Sequence, residues 1–245
     1  MACEMDTIME IALRRKVFVI EDAAHCIDAY YKNKHLGTIG HFGVFSFHST
    51  KNIHCGEGGA LLINDDNFVE RLEVIREKGT NRQQMLDGKI DKYSWVAMGS
   101  SYLMSELNAA YLLGQLRNLH LVTENRLKTW QAYHYALMPL NDKIECPVIP
   151  KECTPNGHIF FIKLKDKEER DNLISYLGKK GIKSAFHYIP LHSSIAGKKY
   201  GVFSGDDQFT TRDSERLLRL PSFWGFDKVN EVSLEVGCFI DENKC

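Results

Sequence analysis

The sequence has little of what several protein classes require. Its 31 Lys and Arg residues are balanced by 32 Asp and Glu residues, which leaves a formal net charge of -1. Because nucleic-acid binders usually carry a basic excess, this balance argues against a dedicated nucleic-acid-binding protein. No apolar run approaches the ~20 residues of a membrane span, and no charged-then-apolar leader opens the chain. We therefore expect neither a membrane span nor secretion.

Cysteine pairs at disulfide or metal-binding spacing are missing as well. The seven cysteines are odd in number and scattered, without a C-x-x-C motif. That pattern favours reduced thiols and a cytoplasmic location over a disulfide framework. A hydrophobic fraction of 44% and a charged fraction of 26% are typical of a globular protein. The 245 residues have room for one large domain or two smaller ones.

Short apolar runs characterise the first part of the chain. Residues 17–20, 44–47 and 60–63 read as strands that are buried on both faces. An amphipathic helix over about 4–16 precedes them, and this order favours an α/β sheet. Strands buried on both faces need neighbours on both sides. We therefore expect that part of the sheet comes from elsewhere, or that the chain is N-terminally shortened.

The second half predicts a connecting helix and a smaller α/β unit. The predicted elements are a helical stretch, continuous or broken, at 103–137, a strand at 158–164, a helix at 166–180 and a strand at 182–188. We predict two domains on this basis. Residues 1–138 form the C-terminal part of a large domain with the connecting helix, and residues 139–245 form a small C-terminal domain.

The densest group of candidate functional residues follows the first two apolar runs. Asp22 comes soon after the run 17–20, and Ser46 and Lys51 bracket the end of the next strand. Ligands of open α/β sheets bind at the carboxyl ends of the strands. Residues 55–59 are rich in glycine, which lets an anion approach the backbone closely. An acid, a hydroxyl, an amine and glycines together suit an anionic cofactor that carries an aldehyde.

These residues also have ordinary structural explanations. At Asp22, a helix N-cap or a turn is as good an explanation as a functional carboxylate. A single loop lysine such as Lys51 is usually a solvated surface charge. Pyridoxal 5'-phosphate explains the group as a whole, because its aldehyde takes a lysine amine and its pyridine nitrogen takes a carboxylate. Its phosphate takes hydroxyl and backbone N–H donors, which Ser46 and the glycines supply.

A zinc site is an alternative interpretation of the same segment. His41, His48, His54 and Cys55 have side chains of the kind that zinc accepts. Their spacing lacks the paired-ligand pattern of zinc sites, since there is neither a C-x-x-C nor an H-x-x-x-H motif. We therefore expect no metal at this position.

A family likeness is carried by eight segments spread over nearly the whole chain. They are residues 21–25, 46–52, 56–59, 77–82, 91–95, 99–107, 186–192 and 214–221. These segments resemble the DegT/DnrJ/EryC1 family of sugar-nucleotide aminotransferases. The resemblance implies the α/β fold of the pyridoxal-phosphate-dependent transferases of fold type I, the aspartate aminotransferase-like fold. It implies an incomplete large-domain sheet followed by a smaller C-terminal α/β domain.

The resemblance also assigns roles to individual residues. Lys51 matches the catalytic lysine that forms the Schiff base with the cofactor, and Asp22 matches the acid that pairs with the pyridine nitrogen. His25 stands where the family often has Gln or His against the ring's 3-hydroxyl, and Ser46 matches a phosphate-binding serine. Ser101 lies near the place where many members have an Asn that reaches the cofactor phosphate of the neighbouring subunit.

Substrates and partners follow from the same resemblance. His187 and Tyr188 lie in a segment that resembles one near the sugar-nucleotide pocket. The implied reaction is transamination at C4 of a dTDP-4-keto-6-deoxy sugar with L-glutamate as the amino donor. The implied assembly is a cytoplasmic homodimer with a shared active site. Family members also have an N-terminal segment with no match in this sequence, so we expect an N-terminally shortened enzyme.

Two alternatives to an active aminotransferase stay open at this point. The chain is then either an inactive remnant whose motif residues are inherited, or a relative of the sugar dehydratases that share the fold. In those dehydratases a histidine replaces the lysine, so Lys51 disfavours the second alternative.

Overall fold

The computed structural model describes residues 2–241, so Met1 and residues 242–245, with Cys245, lie outside the described residues. The chain divides into two units. The first unit comprises Met1–Val122 and Pro150–Asn156, and the second comprises Thr123–Ile149 and Gly157–Cys245. The domain boundary between residues 138 and 139, expected from the sequence, stays a prediction about the complete enzyme.

The first unit contains two small sheets. Its strands are β1 (Ile20–Asp22), β2 (Tyr30–Tyr31), β3 (Lys34–His35), β4 (Phe42–Ser46), β5 (Gly59–Ile63) and β6 (Cys153–Thr154). One sheet has the order β1-β4-β5, with β1 parallel to β4 and β4 antiparallel to β5. The other has the order β3-β2-β6 and is antiparallel throughout. The parallel pair β1 and β4 is the part that positions the candidate site.

Five helices occur between residues 5 and 137, and the fifth runs from the first unit into the second. They are α1 (Met5–Arg15), α2 (Val69–Arg76), α3 (Arg82–Leu86), α4 (Glu106–Arg117) and α5 (Leu119–Leu137), with a short 3-10 turn at Asp66–Phe68. The predicted helical stretch at 103–137 is therefore broken, at Asn118, whose side chain donates to the carbonyl of Gly114 at 2.8 Å. In the part of the chain that the structure describes, no helix is both long and apolar enough to cross a bilayer.

The prediction of a strand at 17–20 that is buried on both faces is wrong. The strand begins only at Ile20, and the side chains of Val17, Phe18 and Ile20 are 52%, 60% and 65% exposed. Val44 and Leu61, on the neighbouring strands, are exposed as well. The reason is that β1 pairs with β4 alone among the described strands, so its other edge and the adjoining apolar face have no neighbour there.

The second unit packs helices against a three-stranded antiparallel sheet. Its strands are β7 (Phe160–Lys163), β8 (Ala185–Phe186) and β9 (Leu217–Leu220), in the order β7-β9-β8. The helices that follow α5 are α6 (Lys167–Lys179), α7 (Ile195–Tyr200), α8 (Thr210–Arg216) and α9 (Val229–Asp241), with 3-10 turns at Met138–Leu140 and Leu191–Ser193. Fully buried side chains of its core include Tyr133, Phe160, Ile162, Leu173, Leu177 and Leu218. The predicted strand at 158–164 and helix at 166–180 are confirmed as β7 and α6.

The cysteines differ in oxidation state. Free thiols are found at Cys3, Cys26, Cys55, Cys146 and Cys153. Cys238 is disulfide-bonded, so the expectation of reduced thiols is wrong at that position. Burial raises the pKa of the Cys55 thiol, which favours its protonated, unreactive form.

Candidate active site

Asp22 and Ser46 occupy the carboxyl ends of two neighbouring parallel strands. Asp22 is the last residue of β1 and pairs with Val44, and Ser46 ends β4 two residues further along. Parallel strands end at the same edge of a sheet, and ligands of open α/β sheets bind there. The structure therefore brings a carboxylate and a hydroxyl to one edge, as the sequence predicts.

Lys51 lies on the connection between β4 and β5, beyond this same edge. The connection folds back on itself, because Phe47 N donates to Gly58 O at 2.7 Å and Cys55 N donates to Phe47 O at 2.9 Å. Ile53, two residues after Lys51, is fully buried and anchors the loop. The Lys51 side chain is half-buried, and its amine makes no hydrogen bond or ion pair with the residues that the structure describes. The amine is thus available to a ligand.

The carboxylate of Asp22 is largely unengaged. Its Oδ1 accepts a hydrogen bond from Ala24 N at 3.2 Å, the turn contact expected of the ordinary structural explanation. Its side chain is exposed, and no second bond to it occurs within residues 2–241. Ser46 Oγ accepts from His48 N at 3.4 Å, and the side chain of His25 is exposed in the segment after β1. Asp22 and Ser46 therefore have hydrogen-bonding capacity left for a ligand.

Ser101 belongs to the first unit, but no described contact joins it to Lys51. It is exposed and forms an antiparallel bridge with Glu77, next to the bond from Lys78 N to Ser100 O at 3.0 Å. The resemblance directs this position toward a neighbouring subunit. Its role therefore stays a prediction.

His187 and Tyr188 follow β8 in the second unit and are described there by themselves. Their rings lie 5.2 Å apart, and the His187 Nδ1 atom is buried without a hydrogen-bond partner among the described residues. Burial lowers the pKa of the His187 imidazole, and the positive charge of Arg219 lowers it further. The guanidinium of Arg219 also lies 5.9 Å from the centre of the Tyr188 ring. A substrate-binding role for this pair stays a prediction.

Two buried asparagines at the site are absent from the sequence-based prediction. Asn52, directly after Lys51, donates from Nδ2 to the backbone oxygen of Asn156 at 3.0 Å. Asn156 in turn donates from its own Nδ2 to the backbone oxygens of His25 and Ile27, both at 2.8 Å. Asn52 could have been found by its position beside Lys51. Asn156 has no local signal, since it stands 104 residues further along the chain.

Glu21 is a second residue whose role only the structure reveals. Its carboxylate is buried and accepts three backbone N–H groups, from Gly37 at 2.8 Å and from Ile39 and Gly40 at 2.6 Å each. Although it stands beside Asp22, its carboxylate holds the loop before β4. Glu21 is therefore a structural acid, and Asp22 is the carboxylate available to a ligand.

The four candidate zinc ligands are engaged separately. His41 Nδ1 accepts from Val19 N at 3.0 Å, and His48 Nδ1 lies 2.9 Å from Thr50 Oγ1. The thiol of Cys55 points to backbone oxygens, and the His54 ring lies 5.7 Å from the Tyr111 ring. Within the described residues, no three His, Cys, Asp or Glu side chains converge as a metal site would require.

The groups at the sheet edge fit the cofactor that the sequence predicts. An amine without a partner among residues 2–241, an exposed carboxylate and a strand-end hydroxyl are the donor set that an aldehyde, a pyridine nitrogen and a phosphate require. The fold is that of the pyridoxal-phosphate-dependent transferases of fold type I.

The particular family follows from comparison with known proteins. Residues 1–232 match the DegT/DnrJ/EryC1/StrS aminotransferase family, and the chain belongs to it. An uncharacterized protein of Methanocaldococcus jannaschii, MJ1066, is 31% identical over 251 residues, which cover 99% of this chain and 65% of that protein.

Solved structures agree with this assignment. A DegT DnrJ EryC1 StrS aminotransferase from Brucella abortus is 28% identical with a TM-score of 0.83. The aligned region covers 98% of this chain and 62% of the Brucella chain. The aminotransferase TlmJ from Streptoalloteichus hindustanus is 25% identical with a TM-score of 0.84, and the aligned region covers 96% of this chain and 62% of the TlmJ chain. The chain thus spans less than two thirds of the length of these relatives.

Proposed function

We propose that this chain carries the cofactor lysine of a pyridoxal-phosphate-dependent sugar-nucleotide aminotransferase. The observation that supports it most strongly is the amine of Lys51, which has no partner among the described residues and lies beyond the edge where Asp22 and Ser46 end their strands. Membership of an aminotransferase family supports the reaction class. The sheet edge supplies one group for each reactive part of the cofactor.

This proposal assigns a separate role to each residue of the site. Lys51 would hold the cofactor covalently through Nζ, and Asp22 would hold the pyridine nitrogen in its protonated form. Ser46 would donate to the phosphate, and His25 would face the ring's 3-hydroxyl. When bound, the cofactor supplies an aldehyde for amine exchange and a ring that accepts electrons. Once the amino donor had displaced it from the aldehyde, the neutral Lys51 Nζ would be free to accept the proton that leaves the α-carbon of the donor.

The substrate that we propose is dTDP-4-keto-6-deoxy-D-glucose, aminated at C4 with L-glutamate as the donor. The product is dTDP-4-amino-4,6-dideoxygalactose, as in the synthesis of enterobacterial common antigen or a related surface polysaccharide. This choice is supported by the motif segments, which look most like the transaminase that makes this sugar. His187 and Tyr188 would contribute to the sugar-nucleotide pocket. We also propose a cytoplasmic homodimer, in which Ser101 approaches the cofactor phosphate of the other subunit.

A product assay tests the function. The chain is incubated with pyridoxal phosphate, isotope-labelled L-glutamate and the dTDP-keto sugar, and the nucleotide sugars are analysed by mass spectrometry. We expect an aminated sugar that carries the label, and we expect none from Lys51→Ala. The matched control is Lys34→Ala, which removes an exposed lysine of β3 and should leave the product unchanged.

The two possible failures of this assay have different meanings. A labelled product from Lys51→Ala would contradict the role of Lys51. A folded wild-type chain that makes no product, beside an N-terminally extended chain that does, would favour the inactive remnant for the chain as it stands.

A further inference from the structure

Asn156 connects two backbone segments of the candidate site, residues 23–29 and 47–58, which we call its two arms. One arm is the backbone after Asp22, where His25 O and Ile27 O accept from Asn156 Nδ2 at 2.8 Å each. The other is the Lys51 loop, where the neighbouring Asn52 donates to Asn156 O at 3.0 Å. Both asparagines are buried, at 6% and 8% exposure. A single residue thus holds both arms through hydrogen bonds in the interior.

The strand pairing alone does not fix the spacing of these arms. The ladder between β1 and β4 has its last register pair at Asp22 and Val44, before either arm begins. Beyond that point, both arms are connections rather than strands. A rigid aromatic ring that is bound through an amine on one arm and through the Asp22 carboxylate, just before the other arm, requires a constant separation between the two groups. Asn156 supplies a cross-link at this place.

Asn156 is itself anchored from outside the two arms. It follows β6, which pairs with β2 through Tyr30 opposite Thr154 and Tyr31 opposite Cys153. Lys32 N also donates to Glu152 O at 2.7 Å, which extends the attachment. The cross-link is therefore tied to a sheet that does not contain Lys51 or Asp22.

We propose that Asn156 is a positioning residue, which sets the distance between the Lys51 amine and the Asp22 carboxylate. The inference rests on the proposed function and adds a residue outside the eight motif segments. Loss of the cross-link lets the arms move independently. The affinity for pyridoxal phosphate then falls by more than the decrease in folding stability alone would explain.

Asn64 provides a matched control. Its Nδ2 also donates to two backbone oxygens, those of Gly37 at 3.0 Å and Gly40 at 2.9 Å. It follows β5 at the end opposite to Gly59, which pairs with Ser46. Asn64→Ala therefore removes the same kind of bonds from the same unit at the far end of the strand.

The first measurement uses the chain without cofactor. Amide hydrogen exchange is followed in wild type, Asn156→Ala and Asn64→Ala. We expect Asn156→Ala to accelerate exchange in both 23–29 and 47–58, whereas Asn64→Ala leaves these two segments at the wild-type rate. Unchanged exchange in either segment of Asn156→Ala would overturn the cross-link, whatever the cofactor does.

The second measurement is a titration with pyridoxal phosphate, followed by the visible absorption band of the lysine-bound form. Affinity should fall about tenfold or more in Asn156→Ala, since small misplacements of reacting groups are costly. It should stay within about twofold of wild type in Asn64→Ala, as for independent sites. Asn52→Ala, which releases only the Lys51 arm, is the second variant should Asn156→Ala fail to fold. We expect it to weaken binding in the same direction.

The outcomes separate this inference from the proposed function. Equal effects of Asn156→Ala and Asn64→Ala on the titration would overturn the positioning role and leave the aminotransferase proposal intact. Absence of the band in folded wild-type chain would contradict the proposed function, and the exchange measurement would still decide on the cross-link.

Discussion

At the scale of single residues, Lys51 contrasts with Lys163. The Lys163 ammonium lies 2.9 Å from Asp213 Oδ2 and 3.3 Å from Glu145 Oε2, so two carboxylates engage it. The Lys51 amine has no such partner in the part of the chain described. No carboxylate occupies the Lys51 amine among these residues, and attack on an aldehyde requires an amine that can approach it.

His187 gives a prediction about pH at this scale. Because burial and the charge of Arg219 lower its pKa in the folded state, the unfolded chain binds the proton first as the pH falls. The free energy of unfolding of the wild type should therefore decrease, through protonation of His187, as the pH drops below the histidine pKa of about 6.5 in the unfolded chain. His187→Asn should show a smaller decrease in the free energy of unfolding between neutral and mildly acidic pH, measured by urea denaturation.

The control for this experiment is His120→Asn, which removes an exposed histidine of α5. In this variant, the free energy of unfolding should depend on pH as it does in the wild type. If His187→Asn and wild type lose the same stability over this pH range, the imidazole is not held in its neutral form by its surroundings.

At the scale of elements, β4 depends on a close backbone contact. A Cβ atom at Gly43 would lie 2.1 Å from Gly37 O and 2.6 Å from Gly37 Cα. Gly37 belongs to the loop that the Glu21 carboxylate holds through backbone N–H groups. The glycine therefore allows this loop to lie against the strand that carries Ser46.

Two glycine substitutions should change stability in opposite directions. Gly43→Ala should destabilise the chain by about 1–3 kcal/mol or more, because backbone atoms must move to admit the methyl group. Gly114→Ala, in α4, meets no atom within 4 Å and should stabilise the helix by about 0.5–1 kcal/mol. The free energy of unfolding from urea denaturation measures both effects. A neutral Gly43→Ala would show that the contact with Gly37 is not tight in solution.

Elements formed by local patterns could be predicted, and those formed by distant pairing could not. The helix α6 was predictable because Asp166 caps it, accepting from Glu169 N at 2.9 Å, and Leu173 and Leu177 repeat at helical spacing. The sheet of β2, β3 and β6 has two-residue strands, and β6 lies more than a hundred residues from its partner. No periodicity can emerge from two residues, so neither this sheet nor Asn156 behind it was predictable.

The candidate site shows the same division. The positions of Asp22 and Ser46 at strand ends, and of Lys51 on the loop after β4, could be predicted because recognisable apolar runs precede them. The exposure of β1 could not, since an apolar run reports what a strand would bury and not which neighbours are present. Asn52 and Asn156 act through bonds to backbone oxygens, which leave no pattern in the sequence.

At the scale of the whole molecule, the chain corresponds to part of the length of its relatives, and apolar side chains near its first sheet are exposed. The chain matches its relatives over almost all of its own length but over only 62–65% of theirs. Apolar side chains at Phe18, Ile20 and Leu61 are 60%, 65% and 49% exposed. Even so, the groups proposed to hold the cofactor all lie in the first unit.

The account depends most on the proposal that Lys51 is the residue to which pyridoxal phosphate becomes attached. The direct test is to incubate the folded chain with the cofactor, reduce it with borohydride, digest it and map the modified peptide by mass spectrometry. The account predicts a stable adduct on Lys51 in wild type and in Lys34→Ala, and no adduct at this position in Lys51→Ala. An adduct on another lysine, or none in a chain shown to be folded, would contradict it.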